Sequence, residues 1–162
     1  MPEMAEYVFN EAGQLTELEH ERKRPHAEIS IVHVEGNLFF GAAELFQEQM
    51  RRVCEDRNLK VVILKMRNAY HLDATSVMAL EELVNSMREN HRTLLVSEAR
   101  KDVLRIFKKS GLRELIGRDH IFPDNLQNPT LSTAQALRKA QSLVGPQEAR
   151  ISILVDTKEG LQ

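Results

Sequence analysis

Residues 61–87 read VVILKMRNAYHLDATSVMALEELVNSM. Val61-Val62-Ile63-Leu64 is a short, unbroken apolar run, the pattern of a strand covered on both faces. Beyond it the apolar residues change to helical spacing. Val77, Leu80, Leu83, Val84 and Met87 share one stripe, and Glu81, Glu82, Arg88 and Glu89 lie off it. A buried strand followed by an amphipathic helix is the opening of a strand–helix–strand unit, which sets helices against a parallel sheet.

The same alternation continues outward. Thr93-Leu94-Leu95-Val96 reads as a second buried strand. Lys101 to Ser110 reads as a helix with Val103, Leu104 and Phe107 inward and Gly111 as its C′ residue. His120-Ile121-Phe122 is a short strand stopped by Pro123, and Leu131 to Leu143 is a final helix ended by Gly145-Pro146. Toward the N-terminus, Ile29 to Glu35 is β-branched and ends in the turn residues Gly36-Asn37. Leu38-Phe39-Phe40 then reads as a short strand returning antiparallel to it, which makes the sheet mixed. Gly41 opens a helix carrying Leu45, Phe46, Met50, Val53 and Cys54 on one side, with Gln49 the polar exception. The expectation is an α/β domain over residues 28–144. Residues 1–27 are polar and read as a linker or N-terminal arm, with Tyr7, Val8 and Phe9 as the cluster able to dock on the body. Residues 145–162 read as an extension in which Ile151 to Val155 has the pattern of an extra strand.

Composition narrows the function classes. Acidic and basic residues nearly cancel, for a formal charge of −2, so there is no basic field for nucleic acid. Cys54 is the single cysteine, which excludes an intrachain disulfide and a cysteine metal cluster and suits a reducing compartment. No apolar run approaches the roughly 20 residues of a membrane span, and the N-terminus lacks a secretory layout. A cytoplasmic chain is expected, with any span supplied from outside this sequence.

Catalytic patterns are missing. The histidines at 20, 26, 33, 71, 91 and 120 include no pair at the i, i+4 spacing of a helical zinc site. They read as surface or boundary residues. Cys54 lies on an inward stripe and reads as a structural thiol rather than a nucleophile. Neither a G-x-G-x-x-G run nor a Walker lysine occurs, and Arg22-Lys23-Arg24 is a weak lure for acidic lipid, better read as linker. The expectation is a binding module with no catalytic residue, metal or cofactor.

One loop stands apart. Asp73, Thr75 and Ser76 cluster between the buried strand and the helix. Helix N-termini leave N–H groups unpaired, and short oxygen-bearing side chains satisfy them, so the cluster reads as an N-cap. It reads equally as an exposed hydroxyl where added phosphate is electrostatically favoured. The outward face of the helix, with Glu81, Glu82, Asn85, Arg88 and Glu89, is either a solvated face or a partner surface.

These residues carry a resemblance. Asn37-Leu38-Phe39-Phe40-Gly41-Ala42-Ala43-Glu44 resembles the G-x-L-F-F-G-A-A-E signature of STAS domains in SulP-type anion transporters. Val61 to Met66 with Leu72-Asp73-Ala74-Thr75 resembles their strand and D-A-T-G loop, and Ser110-Gly111-Leu112, Ile116-Gly117 and Ala134 to Ala140 resemble later stretches. The likeness runs over about residues 28–142. It implies a mixed β-sheet with helices packed mainly on one side. It implies a cytoplasmic regulatory domain at the inner face of the membrane, docking on the transporter's membrane domain or on another STAS-binding protein. Nucleotide and acyl-carrier-protein binding are associated with some members. Anti-sigma-factor antagonists share the domain, and their phosphorylated serine falls here on Thr75, with the loop aspartate at Asp73. That implies an alternative: a free-standing partner-switching protein controlled by phosphorylation at Thr75. Both branches usually have Gly at the next position, where this chain has Ser76.

Overall fold

The computed structural model describes residues 3–9, 15–17, 27–36, 43–70 and 72–145. Among them is a six-stranded sheet in the order β2-β1-β3-β4-β5-β6. The strands are β1 (Glu3–Phe9), β2 (Leu15–Glu17), β3 (Ala27–Gly36), β4 (Val61–Ala69), β5 (Thr93–Ala99) and β6 (Ile121–Pro123). Only β2 is antiparallel to its neighbour; β1, β3, β4, β5 and β6 run parallel. The helices are α1 (Ala43–Val53), α2 (Ala74–Glu89), α3 (Lys101–Ser110), α4 (Leu112–Ile116) and α5 (Leu131–Val144).

Strand alternation separates two cores. Val32, Val34, Val62, Leu64, Met66, Leu94 and Val96 face α1 to α4, meeting Met50, Leu80, Leu83, Val84, Val103, Phe107, Leu112 and Ile116. On the other face Ile29, Ile31, Val61, Ile63 and Leu95 meet Ala136, Leu137 and Ala140 of α5. Both faces of β4 are therefore covered, which is why its first residues read as an unbroken apolar run. The antiparallel β2 makes the sheet mixed, and among the described residues four helices lie on one face and one on the other.

The N-terminal segment differs from the linker expected. Residues 3–9 form β1, with Tyr7, Val8 and Phe9 opposite Val32, His33 and Val34. The segment pairs with β3 through its main chain. An open edge on β3 would leave a row of N–H and C=O groups unpaired, and β1 supplies their partners. The short strand expected at Leu38 to Phe40, the opening of the helix at Gly41 and the extra strand at Ile151 to Val155 lie outside the described residues.

The two central strands also run further than their apolar runs. β4 continues through Lys65 and Arg67, and β5 through Ser97 and Glu98. Glu98 is 1% exposed, with Lys65 Nζ 3.5 Å from Oε2 and Arg67 Nε 2.6 Å from Oε1. That second contact is off line for a hydrogen bond, so it acts as an ion pair. The Thr133 hydroxyl donates to Glu98 Oε2, and the Glu98 N–H donates to Ser132 Oγ at 2.7 Å. Ser132 in turn donates to the Phe122 carbonyl at 2.7 Å. Charges buried in this way need partners on every side, and here the partners bind the first turn of α5 to the ends of β4, β5 and β6.

Candidate functional site

Beyond β4, Asp73 is the N-cap of α2. Asp73 has extended backbone, with φ −103° and ψ −176°, the geometry an N-cap needs. Its Oδ1 accepts the Ser76 N–H at 2.9 Å and the Ser76 hydroxyl at 2.8 Å. These bonds favour the ionised carboxylate. The Ser76 N–H, then the Ser76 hydroxyl, hold the Asp73 pKa below its ordinary value.

The two hydroxyls of the loop are thereby divided. Ser76 is completely buried on the inward stripe of α2, with Ala79, Leu80, Leu83, Val84 and Met87. Its hydroxyl is consumed by the cap. Thr75 is exposed in the first turn, and its side chain makes no hydrogen bond among the described residues. The cap thus belongs to Asp73 and Ser76, and the Thr75 side chain faces outward.

Along α2 the expected outward residues are not equivalent. Glu82 accepts a hydrogen bond from the Gln47 side chain of α1, and the Arg88 guanidinium donates to the Leu115 carbonyl of α4. Both are engaged by the neighbouring helices. Glu81 is half-buried, while Asn85 and Glu89 are exposed. The sequence reading missed Met78, which is 60% exposed one turn beyond Thr75. Its signal was present: Met78 is an apolar residue off the inward stripe. Met78 and Asn85 lie seven residues apart, within about 20° of one line along the helix, and Thr75 lies about 60–80° round from them; the three form an outward ridge with an apolar member.

The remaining candidates read as structure. Cys54 is half-buried against the helix-side core, and burial pushes its thiol pKa up, the opposite of an activated nucleophile. His91 is exposed, and His120 Nδ1 lies 3.1 Å from the Ile116 carbonyl. His33 corrects the expectation of surface or boundary histidines: it is buried on β3, beside Lys65. His20, His26 and His71 lie outside the described residues. Among the described residues no three His, Cys, Asp or Glu side chains come together as metal ligands do. No helix among them is long and apolar enough to cross a membrane.

Comparison with known proteins agrees with this architecture. The STAS domain family model matches residues 22–126. The chain is 24% identical over 100 residues to a putative sulfate transporter, YvdB, of Bacillus subtilis, covering 62% of this chain and 19% of that protein. It is 28% identical over 105 residues to the chloroplastic sulfate transporter 4.1 of Arabidopsis thaliana, covering 58% of this chain and 15% of that one. Less than a fifth of either relative's length is therefore matched. Among solved structures, a sulfate transporter family protein from Wolinella succinogenes superposes with a TM-score of 0.61 at 27% identity, over 75% of this chain and 98% of that one. The STAS domain of a SulP transporter from Vibrio cholerae gives 0.53 at 26% identity, over 67% of this chain and 79% of the other.

Proposed function

The chain belongs to the STAS domain family, and from that membership we propose that it is the cytoplasmic regulatory domain of a SulP-type transporter of sulfate or a related anion. It works by docking, not by catalysis. The membrane domain of the transporter is its partner, and residues 28–144 are the working unit, with β1 and β2 added at the sheet edge. The observation that carries the docking surface is the outward ridge of α2. Thr75 and Met78 are exposed there while the cap behind them is closed by Asp73 and Ser76. A rigid helix end presenting an unengaged hydroxyl and a bare thioether is a contact surface.

The test is co-purification of the chain with the membrane domain, together with sulfate uptake, for native protein and for Thr75→Glu. A negative charge at a helix N-terminus leaves the fold intact. Placing an unpaired carboxylate in an interface is costly, so binding and transport should fall. Native behaviour in Thr75→Glu would remove the ridge from the function.

A second reading is supported by the exposure of the Thr75 hydroxyl. In a partner-switching protein that hydroxyl would be phosphorylated by a kinase-like partner. Phosphothreonine at position 75 by mass spectrometry, with loss of partner binding, would favour this reading over the transporter domain.

A further inference from the structure

At the β6 edge of the domain an open groove of about 380 Å³ lies along α3. Lys101, Arg105, Lys108, Arg113 and Arg118 surround it, and Leu104, Ile121 and Pro123 form its apolar part. Lys101, Leu104, Arg105 and Lys108 fall at i, i+3, i+4 and i+7, so α3 turns one face into the groove. Glu114 lies 3.2 Å from Arg113 and 3.0 Å from Arg118, the only carboxylate among the described residues paired with these cations. Lys101, Arg105 and Lys108 are exposed with no ion pair among the described residues. Asp102, in the first turn of α3, pairs with Arg100 at 3.4 Å and not with the groove cations. A chain of net charge −2 thus concentrates positive charge on one edge. Beyond Pro123, Leu126 is 90% exposed. It follows Pro123 by three residues, so the two Cα atoms lie within about 11 Å.

We propose that this edge docks on an anionic phospholipid surface, with the groove cations on the headgroup phosphates and Leu126 entering the hydrocarbon boundary. The array extends about 10 Å from Lys101 to Lys108, is open, and alternates charge with apolar surface. It suits many phosphates on a plane better than one small anion, which needs enclosed, convergent donors. Leu126 decides between a bilayer and an acidic protein. Lipid offers hydrocarbon under its charges at every point, whereas a protein must present a matched pocket. The proposal goes beyond the docking of α2 and uses none of its residues.

The test is sedimentation of the full chain with phosphatidylcholine vesicles, with and without about 30% phosphatidylglycerol, at low and raised salt. Native protein should bind the anionic vesicles, release at high salt and ignore the neutral ones. Each cation is worth roughly fivefold in partitioning, so Arg105→Gln with Lys108→Gln should weaken binding by about tenfold or more. Leu126→Ser should weaken it severalfold. All these positions are exposed, and circular-dichroism melts check that the variants fold. Absence of binding to anionic vesicles would overturn the proposal. So would equal binding by the Arg105/Lys108 variant, because Arg22-Lys23-Arg24 remains in it and would then be the cause. Protection of the groove by inorganic phosphate without vesicle binding would assign it to a small anion instead.

Discussion

Asp73 and Ser76 are joined twice, since one carboxylate oxygen accepts both the N–H at 2.9 Å and the hydroxyl at 2.8 Å of the same residue. The helix end is therefore closed by a side chain on the inner stripe of α2. Asp73→Ala should destabilise the domain by about 1 kcal/mol, and Asp73→Asn by less, because Asn keeps the capping acceptor and loses only the charge. Ser76→Ala should cost about 1 kcal/mol, since a buried hydroxyl bond is lost. Urea unfolding at neutral pH measures all three.

The cap should also be visible as an acid-sensitive part of stability. The Asp73 pKa is lower in the folded chain than its ordinary value of 3.8. Its stabilising contribution is fully present above the unfolded pKa and is lost as pH falls through the folded one. Thermal melts of native protein and Asp73→Asn should therefore converge in the acid range below about pH 4, the ordinary carboxylate pKa. A constant difference at all pH values would show that the charge of Asp73 is immaterial.

Thr75 should behave differently from its neighbours. Its hydroxyl does not cap the helix, so Thr75→Ala should change stability by less than about 0.5 kcal/mol. Asn85→Lys should be similarly neutral in the melt and should weaken binding to the membrane domain. Asn85 is a cleaner probe than Glu82, whose carboxylate is held by Gln47. A binding assay in which Thr75→Ala and Asn85→Lys both match native protein would leave α2 a solvated helix.

Glu98 should tolerate change least. Removing its carboxylate breaks the ion pair of Lys65, only 4% exposed, and one of the two that Arg67 makes, the other being with Asp124. Glu98→Ala should cost about 3–5 kcal/mol, as the breaking of a buried pair does. Lys65→Met combined with Glu98→Leu should recover part of that loss in denaturant unfolding. If Glu98→Ala alone is harmless, α5 is held by its apolar contacts and not by the network.

The sequence by itself determined most of the strands and helices in the body of the domain, although the short helix α4 was not among them. Apolar period is a local property, and it placed β4, α2, β5 and α3 within a few residues. It also identified Gly111 as the end of α3, where the backbone takes φ 88° and a glycine avoids the Cβ clash. The resemblance of the 37–44 and 61–75 stretches to STAS domains rested on the same local patterns. Only the tertiary structure decided the rest. β1 has its apolar cluster at Tyr7 to Phe9 but lies in an otherwise polar segment, and it becomes a strand because β3 offers an edge to pair. The polar ends of β4 and β5 break the apolar pattern, yet Lys65 and Glu98 are buried because they meet one another and the first turn of α5. Asp73, Thr75 and Ser76 are chemically alike as short polar side chains in a string of letters. Helical geometry turned Ser76 inward to the cap and Thr75 outward to solvent, because adjacent residues on a helix point about 100° apart.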